Sequence, residues 1–147
     1  MKNEKCKMAN GGNGQRQKDI DALAERLLTF AVRVGRVVDA LPDTRLGRHV
    51  AGQLVRCGTS PVPNYEEACG AESRRDFAHK MGICLKELRE SRAWLRLIVR
   101  AGLLNEGLMS GLVDESDQLA RIFGQSVLTA RSRMARRSTG NVVKEEL

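Results

Sequence analysis

GTSPVPNYEEACGAESRRDFAHKMGICLKELRESRAWLRLIVRAGLL, residues 58–104, decides the fold of this chain. Within it Phe77, Met81, Cys84, Leu88, Ser91, Leu95 and Ile98 recur at spacings of 4-3-4-3-4-3. Such spacing lays one apolar stripe along an α-helix. Leu85, Trp94 and Val99 widen the stripe. Ser73, with Asp76 three residues on, predicts the start of this helix, and Gly102 predicts its end. Just upstream, Pro61 and Pro63 would each cost about 3 kcal/mol inside a continuous helix. The sequence therefore predicts a helix kinked or interrupted near residues 58–63 and ending near Gly70. Ser60 is expected to cap a restarted segment whose first turn holds both prolines, where N–H groups need no helical partner.

The flanks extend the same pattern. Ile20, Leu23, Leu27, Phe30, Val34, Val37 and Leu41 form a heptad seam over the first helix, and Leu41-Pro42-Asp43-Thr44 ends it, with Asp43 or Thr44 capping the next. Leu46, Val50, Leu54 and Cys57 mark the second helix. Gly47, Gly52 and Gly58 weaken that helix and point to a close neighbour. Asn105 is placed to cap a last helix, with Leu104 stapled to Met109. Leu108, Leu112, Leu119, Ile122, Ser126 and Ala130 are expected on its inner face, with Val113, Phe123 and Val127 beside them. Four amphipathic helices with short connections predict an all-α, antiparallel up-down-up-down four-helix bundle over residues 19–134. Residues 1–18 are expected to be a disordered, Gly/Asn-rich arm, and 135–147 a flexible tail.

Composition agrees with this class. Of 147 residues 41% are hydrophobic but only 3% aromatic, so the core must be built from aliphatic and small side chains that suit helices. One domain of this length buries enough apolar surface to stand without disulfides or metal. Cys6, Cys57, Cys69 and Cys84 form no CxxC pair and have no histidine at zinc-site spacing, which predicts reduced thiols and a cytoplasmic protein. No apolar run approaches the roughly 20 residues of a membrane span. The net charge of +7 points to polyanionic partners: RNA, DNA or an acidic protein.

The central stretch resembles a known family. GTSPVPNYEEA, then Ser73 and Phe77, then KMGICLKELRESRAWL and AGLL are similar to the motifs of the small bacterial four helix bundle proteins, which include proteins encoded by intervening sequences in 23S ribosomal-RNA genes. The residues that carry the likeness are Gly58, Thr59, Ser60, Asn64, Tyr65, Glu67, Ala68, Ser73, Phe77, Gly82, Ile83, Leu85, Lys86, Glu87, Glu90, Ser91, Trp94 and Leu95. Pro61-Val62-Pro63 departs from the usual pattern of small residues or a single proline. The resemblance implies a four-helix bundle assembled as a homopentamer, with no enzymatic activity and no cofactor. A related branch resembles accessory proteins of diversity-generating retroelements, which bind a reverse transcriptase and its RNA.

Three constellations are candidates for chemistry. Arg89, Arg92, Arg96 and Arg100 form a row with no acid three or four residues away on the same helix, whereas Glu90 is placed to pair with Lys86. The row reads either as a solvated face or one paired to Glu66, Glu67, Asp114 or Asp117, or as a phosphate-binding stripe that Arg131, Arg133, Arg136 and Arg137 enlarge. With so few aromatics, base-specific readout is not expected. Asn64, Glu67, Glu87 and Glu90 form a polar set that reads as a network fixing helix register or a subunit contact. It lacks the paired Glu-x-x-His motifs of a di-iron bundle, so no metal is expected. Cys84 and His79 point to different faces of one helix, which argues against a nucleophilic pair. The leading functional reading is a non-enzymatic, homo-oligomeric protein that binds RNA or DNA through phosphates. The alternative is an accessory module that docks on a protein such as a reverse transcriptase.

Overall fold

The computed structural model describes the backbone of residues 12–145 and the side chains of residues 12–140. Five helical segments follow in order: α1 (Asn13–Ala40), α2 (Arg45–Thr59), α3 (Pro61–Cys69), α4 (Arg74–Arg100) and α5 (Glu106–Glu145). No strand occurs among the described residues. Segments α2 and α3 occupy the place of one helix, so the fold is an all-α four-helix bundle. No described helix is long and apolar enough to cross a membrane.

Contacts run in opposite chain order along packed neighbours. Gly58 faces Val34 while Tyr65 Oη donates to the Ile20 carbonyl, so α1 runs against α2 and α3. Arg56 meets Glu87 and Glu90 while Lys80 meets Glu67, so α4 runs against them in turn. Arg26 makes a two-pronged pair with Glu115, Nε to Oε1 at 3.0 Å and Nη2 to Oε2 at 2.9 Å, which ties α1 to α5.

The helix ends follow their capping residues. Thr44 accepts a hydrogen bond from the Gly47 amide and starts α2; Asp43 pairs with Arg48 instead. Ser73 accepts from the Asp76 amide and starts α4, and Asn105 accepts from the Gly107 amide at α5. Gly102 takes φ +64, which glycine adopts without steric cost. It lets Gly102 N donate to Val99 O and Leu103 N to Ile98 O, the paired bonds of a Schellman ending.

At the interruption, Ser60 differs from expectation. Its φ of −54 and ψ of −36 are helical, not the extended geometry of a capping residue, and its side chain makes no capping bond. Helical i to i−4 bonding continues from Ser60 N to Arg56 O and from Asn64 N to Ser60 O. What is lost is the pair of amides that Pro61 and Pro63 lack. Asn64 bridges the weakness: its Nδ2 donates to Ser60 O at 2.9 Å and to Ser60 Oγ at 3.0 Å.

The α4 seam is the spine of the core: Met81, Cys84, Leu88, Ser91, Leu95 and Ile98 are all buried. Leu27, Phe30 and Val34 of α1 and Val50, Leu54 and Cys57 of α2 meet it. The inner face of α5 keeps the expected Leu112 and Leu119 but takes Met109, Phe123 and Val127 in place of Leu108, Ile122 and Ser126. Met109, Leu112, Ser116, Leu119, Phe123 and Val127 are buried, whereas Leu108 is 80% exposed. Ser116 occupies the seam between Leu112 and Leu119, its hydroxyl satisfied by the Val113 carbonyl at 2.6 Å. Leu46 likewise lies outside the core.

Both ends of the bundle are longer than the apolar pattern. α1 begins at Asn13 rather than Asp19, on side-chain bonds from Gln15 to Asp19 and Gln17 to Asp21. α5 continues to Glu145, and among the described side chains no apolar residue past Val127 is buried. Residues 1–11 of the expected arm, with Cys6, lie outside the described residues.

Buried thiols have a measurable consequence. Burial pushes the Cys84 thiol up to about 12, against the 9.0 of an ordinary cysteine. Below pH 9 the group is neutral in both folded and unfolded chains. Above it the unfolded chain loses a proton that the folded chain keeps, so stability should decline between pH 9 and 12. Thermal melts across that range should show a shallower decline for Cys84→Ala; identical slopes would rule out this thiol as a source.

Candidate nucleic-acid interface

The expected arginine row lies along α4, but its members differ in environment. Arg92 Nη1 pairs with Asp117 of α5 at 2.9 Å, so one of the four is already partnered. Arg89, Arg96 and Arg100 are exposed and make no ion pair among the described residues. Arg96 and Arg100 line a shallow cleft of about 380 Å³ together with Glu106, Asp114 and Asp117. Those carboxylates offset part of the positive field there.

A second basic surface lies along the middle of α5. Arg16 of α1, Phe77 of α4 and Arg121, Gln125, Thr129 and Arg133 of α5 line an open groove of about 720 Å³. Ile122, Ser126 and Ala130 also line it, and among the described residues no carboxylate does. Arg133 is therefore separated from the α4 row, and Arg131 lies along α4, its Nη2 3.8 Å from where a Cβ on Gly82 would stand. The groove was not foreseen, although a signal existed. Arg121, Gln125, Thr129 and Arg133 recur every four residues, which aligns them on one helix face. Arg16 fell within the stretch read as a disordered arm, so its place beside that face was hidden.

The polar set divides into three. Arg56 of α2 holds both Glu87, at 3.1 Å, and Glu90 of α4. Glu90 also accepts from Trp94 Nε1 at 3.3 Å, and the Trp94 ring meets the edge of His49. Burial works against the Glu90 carboxylate, but the bonds from Arg56 and Trp94 and the charges of Arg56 and Lys86 outweigh it and lower its pKa. Its ion pair goes to Arg56 rather than Lys86. Glu67 pairs with Lys80 at 2.6 Å, and Asn64 serves the interruption at Ser60. All of these join helices or repair one; none points its polar atoms into a common cavity. Among the described residues no three His, Cys, Asp or Glu side chains gather as metal ligands would.

The 23S rRNA-intervening sequence protein family has a model that matches residues 22–125. The chain belongs to this family. Among solved structures it is similar to a protein of unknown function from the S23 ribosomal protein family of Bacteroides thetaiotaomicron VPI-5482. The two are 28% identical with a TM-score of 0.67, over 71% of this chain and 97% of that one. No curated protein matches. The family span contains the α4 row, the polar set and the centre of the groove, but Arg16, Thr129 and Arg133 lie outside it.

Proposed function

We propose that this family member is a non-enzymatic, homo-oligomeric, cytoplasmic protein that binds RNA or DNA through phosphate contacts. The observation that carries the reading is the set of exposed arginines, Arg89, Arg96 and Arg100, with no acid partner among the described residues, on a chain of net charge +7. The planar fork of a guanidinium left without a carboxylate suits two oxygens of a phosphate. The family's description names an intervening sequence of 23S rRNA, which supports RNA as the first polyanion to test. Leu28 and Val32, one turn apart on α1 and about half exposed, support an apolar contact between copies. The resemblance implies five copies.

A filter-binding titration with labelled RNA tests this. Affinity should fall steeply as salt rises, and each phosphate contact removed should make the log–log salt dependence shallower by about 0.7–0.9. Changing Arg89, Arg96 and Arg100 together to Gln should therefore reduce the slope by about 2–3. No binding near physiological salt would sink the reading, and a monomer mass from light scattering would remove the assembly from it.

The cleft where Arg96 and Arg100 face Glu106, Asp114 and Asp117 favours a second reading. A surface of mixed charge suits a protein partner, such as a reverse transcriptase, better than a polyanion. Stoichiometric capture of one protein, unaffected by nuclease, would select this alternative.

A further inference from the structure

We propose that the groove between the start of α1, the start of α4 and the middle of α5 seats single-stranded nucleic acid, one base on its floor and the adjoining phosphates on Arg16, Arg121 and Arg133. This rests on the nucleic-acid reading above and gives it a site and a strand preference.

Charge separates this groove from the cleft on α4. Among the described residues three arginines line it and no carboxylate does, whereas the α4 cleft sets two arginines against three acids. An approaching phosphate meets less repulsion here. Length gives a track. Arg121 and Arg133 are twelve residues apart on one helix, roughly 18 Å along its axis, so the pair follows several phosphates of an extended strand.

The floor is what a duplex cannot use. Phe77 and Ile122 are half-buried and present apolar surface between the arginines, and a base offers a flat face to such a ring only when it is out of its own stack. Gln125 and Thr129 stand beside that floor without a hydrogen-bond partner among the described residues, so an amide and a hydroxyl are left for base edges. One aromatic ring stacks one base, which predicts weak sequence preference in each subunit.

The full-length protein should be titrated against a fluorescein-labelled uridine 12-mer and an RNA duplex of the same length, with uridine monophosphate as competitor. The single strand should bind at least about tenfold tighter than the duplex. Changing Arg121 and Arg133 together to Gln should weaken single-strand binding about tenfold or more and make its salt dependence shallower by about 1–2. Phe77→Leu, which keeps an apolar side chain, should weaken it about 5-fold or more through lost stacking. Melting curves confirm that each variant is folded. Strand affinity untouched by the groove substitutions but lost on changing Arg89, Arg96 and Arg100 would overturn this site and leave the general reading standing. Equal affinity for duplex, or displacement of the strand by micromolar uridine monophosphate, would overturn the strand preference. No binding by the parent protein would overturn both.

Discussion

Phe123→Ala should cost about 3–5 kcal/mol, a large share of the roughly 5–15 kcal/mol that holds a domain of this size together. Phe123 is fully buried on α5 and meets the edge of Tyr65 of α3, ring centres 5.6 Å apart at 74°. That contact couples the restarted half of the interrupted helix to the last helix. The core has few other large rings to close the cavity, because the chain has only three phenylalanines, one tyrosine and one tryptophan. Its aliphatic neighbours would collapse only in part. The melting temperature should fall by roughly 10 °C. Phe123→Leu should cost less, since it keeps apolar volume and loses mainly the edge-to-face pair, worth about 0.5–1.5 kcal/mol. Denaturation showing Phe123→Ala within about 1 kcal/mol of the parent would mean that the bundle is not locked at this point.

The behaviour of α5 also shows where the sequence stopped being readable. The α4 seam was legible because seven residues keep a strict 4-3 alternation and six of them are buried with few interruptions. On α5 a serine sits in the seam, and the leucines on either side are seven apart. A stripe drawn through Leu108 then fits the spacing as well as one drawn through Met109. Only packing decides between them, and it favours Met109, which is fully buried. The α4 arginines were legible for a related reason: the absence of acids at helical spacing is a property of one helix. Whether another helix supplies an acid is not, and among the described residues Asp117 does so for Arg92 alone.

The groove was harder to see because three helices contribute to it. Phe77 opens the apolar seam of α4, Arg16 stands in a polar stretch, and the Arg121 row on α5 runs beside an apolar row. None of the three signals binding by itself. Their juxtaposition depends on α1 running past α5 far enough to bring Arg16 alongside, and that extension rests on exposed side-chain bonds instead of buried apolar surface. The polar set had the opposite fate. Its carboxylates are of the type that ligates a di-iron bundle, but Glu87 and Glu90 pair with Arg56 and Glu67 with Lys80 across helices while Asn64 donates to Ser60, so the set holds the scaffold on which both basic surfaces lie.

Gly58→Ala should destabilise the fold by about 1–2 kcal/mol even though alanine is the better helix former by about 1 kcal/mol. A Cβ at Gly58 would stand 2.6 Å from Val34 Cγ1 and 3.0 Å from Cγ2. Both methyls are close, and valine in a helix has one strongly preferred rotamer, so turning the side chain gives no escape. Relief requires α1 to move away from α2 at the point where the chain passes into α3. Gly52 supplies the control on the same helix: nothing lies within 4 Å of its Cβ position, so Gly52→Ala should stabilise by up to about 1 kcal/mol. Pairing Gly58→Ala with Val34→Ala should recover part of the loss, a favourable coupling of about 1–3 kcal/mol in a double-mutant cycle. Urea titrations in which Gly58→Ala stabilises as Gly52→Ala does would show that the close approach is not needed. The contact also bears on the groove. Arg16 lies eighteen residues before Val34 on α1, roughly 27 Å along the helix, so a small tilt forced at Gly58 is carried to the arginine that completes the basic lining.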